Sequence, residues 1–179
     1  MKKIKLFLLK LYHKMAVVTS EKLTRRIARK LFIDYMNESN LRYRISNDQL
    51  FIESGYELSE GHRTTAYYDF SADQPRIVIQ SHFLNLETHQ IPPAALLITH
   101  LNTLIRNGKL MIHFQSLSVY FEIDVNYAAL VLNPENIDRL NRTVVAMPDD
   151  FIWCFTQVLE VKEDPVVVMG EFMRQRNLN

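Results

Sequence analysis

The chain has 179 residues, enough for one domain that buries roughly two-thirds of its unfolded surface. Apolar content of 47% and charged content of 23% exclude global disorder, and four glycines with no G-x-G-x-x-G or G-x-x-x-x-G-K-S/T array exclude a glycine-rich nucleotide loop. The net charge of +1 hides a split: ten of 21 Lys and Arg residues fall in the first 30 positions beside one acid, Glu21, giving that stretch +9 and the remainder −8.

Residues 1–18 read as a basic amphipathic arm. Its apolar stretch from Ile4 to Leu11 is broken by Lys5 and Lys10 and lacks a convincing small-x-small cleavage site, so it does not read as a signal peptide. It also falls short of the roughly 20 apolar residues that span a bilayer. As a helix it would place Ile4, Phe7, Leu8 and Leu11 on one side, with Lys3, Lys10 and Lys14 largely off it. Such an arm can dock on the domain or on a second subunit, contact an anionic membrane surface or a nucleic acid, or be a non-native extension ahead of a start at Met15. Its five lysines would attract a membrane by up to roughly 5 kcal/mol.

Thr19 or Ser20 caps a predicted helix to about Glu38, with Leu23, Ile27, Leu31 and Tyr35 as its stripe and Ala28 and Phe32 beside it. Arg25, Arg26, Arg29 and Lys30 fall mainly outside that stripe. The period then drops to two. Residues 41–45 and 49–53 alternate across Ser46-Asn47-Asp48 and predict a hairpin. Gly55 to His62 reads as an exposed loop or bulged edge, Thr64 to Phe70 as a strand, Ala72 to Pro75 as a turn, and Arg76 to Gln80 as the next strand.

Ile91-Pro92-Pro93 opens a second helix, and Asn107-Gly108 is the expected stop. A strand pair follows over 110–125. Leu110, Ile112 and Phe114 share one face with Val119, Phe121, Ile123 and Val125; Met111, His113 and Gln115 share the other with Tyr120, Glu122 and Asp124. One-sided alternation predicts an antiparallel sheet with helices on one face. Asn133-Pro134-Glu135 starts a third helix, which Pro148 is expected to break, with Asp149 or Asp150 capping a restart. Pro165 to Met169 reads as a terminal strand or hydrophobic extension, and the last eight residues as frayed. A single α+β domain over 19–179 is the expectation.

The order helix, strands, helix, strand pair, long helix resembles the YbjN-like domain family, related in fold to type III secretion chaperones. The likeness spans about residues 19–160. It is carried mainly by Ile105-Arg106-Asn107-Gly108-Lys109, the hairpin from Leu110 to Val125, and Asn133-Pro134-Glu135. The resemblance implies a bacterial interaction, regulatory or chaperone-like role, and it supplies no catalytic signature.

Among chemical alternatives, His82, His89 and His113 with the Glu122/Asp124 pair are the candidates for a metal-dependent hydrolase. No H-E-x-x-H motif or Cys/His quartet supports that reading, so no metal site, cofactor, catalytic residue or small-molecule substrate is expected. Cys154, the lone cysteine, excludes an intrachain disulfide and makes a reducing, cytoplasmic setting the expectation. Between Trp153 and Phe155 it reads as a buried, inert thiol. The basic run from Lys22 to Lys30 lacks any nucleic-acid recognition motif, and the acidic remainder would repel a polyanion. The expected function is therefore non-enzymatic: a surface of Tyr67, His113, Gln115, Tyr120, Glu122 and Asp124 meets a protein partner or a second copy. Peripheral attachment to the inner face of the membrane through the arm, with Lys3, Lys5, Lys10 and Lys14, stands as the other alternative.

Overall fold

A computed structural model describes residues 21–71, 75–127 and 132–177. The arm, with Lys3, Lys5, Lys10 and Lys14, the Thr19/Ser20 cap and most of the Ala72 to Pro75 turn lie outside the described residues. The chain adopts the expected α+β class: six antiparallel strands, β1 (Tyr43–Ile45), β2 (Phe51–Glu57), β3 (Arg63–Asp69), β4 (Arg76–Asn85), β5 (Lys109–His113) and β6 (Ser118–Asn126), lie in the order β1-β2-β3-β4-β6-β5, with helices against one face.

Helix α1 (Glu21–Glu38) buries Ala28, Phe32, Tyr35 and Met36, while Ile27 and Leu31 are half-buried. The core-facing side is therefore turned from the expected 27-31-35 line towards 28-32-36. Asn40 closes the helix in the left-handed region (φ 55°), and Leu41 N donates back to the Met36 carbonyl at 2.9 Å. Strands β1 (Tyr43–Ile45) and β2 (Phe51–Glu57) form the predicted hairpin. Its turn is held by Ser46 Oγ accepting from Phe51 N at 3.0 Å and Asp48 Oδ1 accepting from Leu50 N at 3.0 Å.

Two expected boundaries move outwards. Gly55-Tyr56-Glu57 belongs to β2 rather than to a loop, because all three pair with β3 (Arg63–Asp69). The remaining connection is short and includes one 3₁₀ turn, Ser59–Gly61, whose Ser59 N–H donates to Asp149 Oδ1 at 2.7 Å. Likewise β4 (Arg76–Asn85) continues past Gln80 and pairs with β6 (Ser118–Asn126) to its end, across a register shift between His82 and Leu84.

Helix α2 (Ile91–Asn102) starts at the predicted proline pair but ends before Asn107-Gly108. Its last residue caps the outer edge of β5 (Lys109–His113): Asn102 Nδ2 donates to the Leu110 carbonyl at 3.0 Å, and Leu110 N donates to Asn102 Oδ1 at 2.8 Å. Gly108 (φ 94°) leads into that strand; a Cβ there would stand 2.6 Å from the Glu122 carbonyl oxygen. Glycine is therefore required by both conformation and space.

Helix α3 (Pro134–Thr156) is capped by Asn133, whose Oδ1 accepts from Asn136 N at 2.8 Å, and it runs through Pro148 without restarting. Burial of Val144, Pro148, Phe151 and Ile152 holds the segment where proline removes one backbone bond. Asp149 and Asp150 therefore cap no restarted helix: Asp149 accepts from Ser59 N–H, and Asp150 pairs with Arg176 at 2.7 Å. A π turn (Gln157–Val161) follows, with Lys162 (φ 64°) in the left-handed region after it, and then α4 (Pro165–Asn177). The segment expected as a terminal strand or hydrophobic extension, and the expected frayed end as far as Asn177, are a helix. Asp164 Oδ1 accepts from Val166 N at 2.7 Å as its cap, and Val168, Met169 and Phe172 are its buried side.

The core lies between the helices and the sheet face bearing Ile52, Tyr68, Ile79 and Phe121. Phe32 of α1 packs on Tyr68 and Phe70 at centroid distances of 5.5 and 5.6 Å, and Phe155 of α3 packs on Phe83 at 5.7 Å. Helix α4 packs against α2 and α3.

Candidate functional site

Strand parity sends the alternate side chains to the face away from these helices, and the register places them in rows across the sheet. One row reads Arg44, Glu53, Tyr67, Gln80, Glu122, Lys109; the next reads Gly55, Thr65, His82, Tyr120, Met111. A third joins Asn85, Ser118 and His113. Of the residues expected from sequence, Tyr67, His113, Tyr120, Glu122 and Asp124 therefore share this open face.

Two expectations need correction. Gln115 is not on a strand: β5 ends at His113, and Gln115 sits in the exposed turn with Phe114, which is 69% exposed instead of packing with Leu110. Tyr120 is only 6% exposed. His82 stacks on it at 4.9 Å with planes 11° apart, and its hydroxyl donates to Met111 Sδ at 3.5 Å. Tyr120 is thus a supporting wall, and Tyr67 presents more of its ring.

The centre of the face is an aromatic cluster. His82 meets Tyr67 edge-on at 5.3 Å and His113 at 6.2 Å. Two serines link the imidazoles: His82 Nδ1 lies 3.0 Å from Ser118 Oγ, which lies 2.8 Å from Ser116 Oγ, itself 2.8 Å from His113 Nδ1. These groups border a half-open concavity of about 440 Å³, with Arg63 and Thr65 also in its lining. Burial, and secondarily the neighbouring His113, lowers the His82 pKa and favours its neutral form. Burial raises the Tyr67 and Tyr120 hydroxyls, with Glu53 and Glu122 respectively adding to it.

The nominated metal ligands do not converge. His82 and His113 meet, but His89 pairs with Glu87 at 3.3 Å in the turn before α2. Glu122 accepts from Gln80 Nε2 at 2.8 Å and pairs with Lys109 at 3.2 Å, whereas Asp124 pairs with Arg76 at 3.0 Å. The two carboxylates therefore have separate cationic partners instead of sharing one. Among the described residues, no three His, Cys, Asp or Glu side chains form a metal-ligating group. Cys154 is fully buried, and burial pushes its thiol up to about 12, which suppresses the thiolate needed of a nucleophile.

The helical basic residues are dispersed over α1: Lys30 pairs with Asp34 at 2.9 Å, Arg29 donates to the Gln49 carbonyl, Arg26 is exposed and Arg25 half-buried. No described helix is long and apolar enough to cross a membrane.

On sequence alone, Tyr67, His113, Tyr120, Glu122 and Asp124 fall on this surface, His82 figures only as a metal-ligand candidate, and neither Ser116 nor Ser118 stands out. The continuing alternation through Ser81, His82 and Phe83 was the available signal for His82. Its meeting with His113 depends on β4 lying beside β6, a pairing between distant segments.

No family model matches the chain, and no curated protein matches it. Among solved structures, the crystal structure of YbjN from E. coli, a candidate transcription regulator, is similar over 79% of this chain and 89% of its own, at 9% identity and a TM-score of 0.49. At that identity no residue role passes from one chain to the other.

Proposed function

We propose that this chain is a non-enzymatic interaction domain that receives a segment of a different protein on the open sheet face. The observation that carries the reading is the Tyr67–His82–Tyr120–His113 cluster, framed by charged rows, on the face opposite the described helices. Aromatic side chains supply most of the binding energy at such surfaces, and flanking charges set register and partner choice.

The charge order argues for a partner other than a second copy. Basic, acidic, Tyr, Gln, acidic, basic reads nearly the same in both directions. Face-to-face pairing in register about an in-plane twofold axis would set like charges opposite each other, which is unfavourable. A partner with acidic ends and basic groups inside them would meet the same row favourably.

The test is affinity capture from the native cell with wild-type protein, Tyr67→Arg and Gln80→Arg on the face, and Arg142→Glu on α3. The reading predicts a partner held by wild-type and Arg142→Glu protein and lost from both face variants. Capture lost only with Arg142→Glu, or a wild-type dimer broken by Tyr67→Arg, would contradict it.

A further inference from the structure

The serine-linked histidines have a direction, and it follows from one backbone group. Ser116 N–H donates to His113 Nδ1 at 3.2 Å, so that nitrogen must be an acceptor and His113 carries its proton on Nε2. Ser116 Oγ, 2.8 Å from the same nitrogen, then shares its single lone pair as a second donor. Its oxygen accepts from Ser118 Oγ–H at 2.8 Å, and Ser118 Oγ in turn accepts from His82 Nδ1–H at 3.0 Å. His82 is left with an unprotonated Nε2, in keeping with a neutral ring favoured by burial.

The two rings bordering one concavity therefore differ: His113 offers a donor at Nε2 and His82 an acceptor at Nε2. Neither Nε2 has a hydrogen-bond partner among the described residues. We propose that this pair is a binding site for a primary carboxamide, whose oxygen accepts from His113 Nε2–H while its nitrogen donates to His82 Nε2. The ring centres lie 6.2 Å apart, and the site requires both Nε2 atoms to face the concavity that the rings border.

Other ligand chemistries fit less well. A carboxylate would set an oxygen against the His82 lone pair, and an amidinium would set N–H against the His113 N–H. A trans main-chain amide points its C=O and N–H in opposite directions and cannot offer both on one edge. The fixed Nδ1 acceptor on His113 also keeps a proton on Nε2, where a metal would need a lone pair. The carboxamide can come from an Asn or Gln side chain of the partner or from a free aryl amide. The partner form rests on the sheet-face reading above.

Ring ¹⁵N spectra of full-length wild-type protein test the tautomers without any substitution: His113 should be protonated at Nε2 and His82 at Nδ1. His82 protonated at Nε2 would overturn the site. The same resonances then report titrations with benzamide, acetyl-glutamine N-methylamide, benzoate and benzamidine. At least one carboxamide should bind about tenfold more tightly than both charged probes, and His82→Phe or His113→Phe should each lose about tenfold, the worth of one hydrogen bond. Tighter binding of the glutamine derivative points to a side-chain source, and of benzamide to a free aryl amide; either supports the site. Equal affinity for a charged probe, or no carboxamide binding, overturns it. That failure is separable from failure of the sheet-face reading, which capture of a protein measures independently.

Discussion

Asn141 shows how one polar residue on α3 fixes the helix over the sheet. It is buried, and its Oδ1 accepts from the Tyr56 hydroxyl at 2.8 Å and also from the Tyr68 hydroxyl. Asn141→Leu would keep the volume; because the two hydroxyls lie 2.9 Å apart, one could still donate to the other and one donor would be stranded, so we expect a loss of about 1–3 kcal/mol in chemical denaturation. Adding Tyr68→Phe should recover part of it, because removing a donor with its acceptor is far less costly. Full-strength stability in Asn141→Leu would refute this role. Neither partner is legible in sequence: Asn141 lies on an otherwise apolar helical side, and Tyr68 is one of several tyrosines in an alternating strand. The same limit applies to His82 and His113, whose proximity depends on strand order rather than on spacing.

Elements with sustained periodicity were legible, and those where two periods compete were not. The α1 helix, the β1–β2 hairpin and the β5–β6 pair follow their patterns because long amphipathic runs and turn residues agree. Helix α4 was hidden by Val166-Val167-Val168, a β-branched run that suits a strand when taken alone. Asp164-Pro165 was the helical start signal, and packing of Val168, Met169 and Phe172 decides the outcome. Phe172 packs on Phe151 at 5.6 Å and lies under Arg176, whose guanidinium is 4.7 Å from its ring centre. Phe172→Ala should therefore cost about 3–5 kcal/mol in denaturant. A frayed tail would give almost no change, so the midpoint of unfolding separates the two.

At the scale of the whole molecule, buried titratable groups bound a pH window of stability. His82 has a folded pKa below its ordinary 6.5, so its contribution is present above that value and is lost as pH falls through the folded value. Cys154 has the opposite sign: its contribution is intact below 9.0 and is lost as pH rises towards about 12. Tyr68, raised well above 10.0 by burial, adds loss at still higher pH. Unfolding free energy should thus peak between about pH 6.5 and 9, and Cys154→Ala should flatten the first part of the alkaline decline. A decline unchanged in that variant would remove Cys154 from the account. Of the opening charge split, the described part is Lys30 paired with Asp34 and Arg29 donating to the Gln49 carbonyl, while the lysines of the arm lie outside the described residues. The central claim is that a partner seats on the open sheet face, and site-specific photo-crosslinking tests it most directly. Benzoylphenylalanine placed at Tyr67 should trap the partner in cells and the same group at Arg142 should not. Trapping from Arg142 with none from Tyr67 would contradict the account.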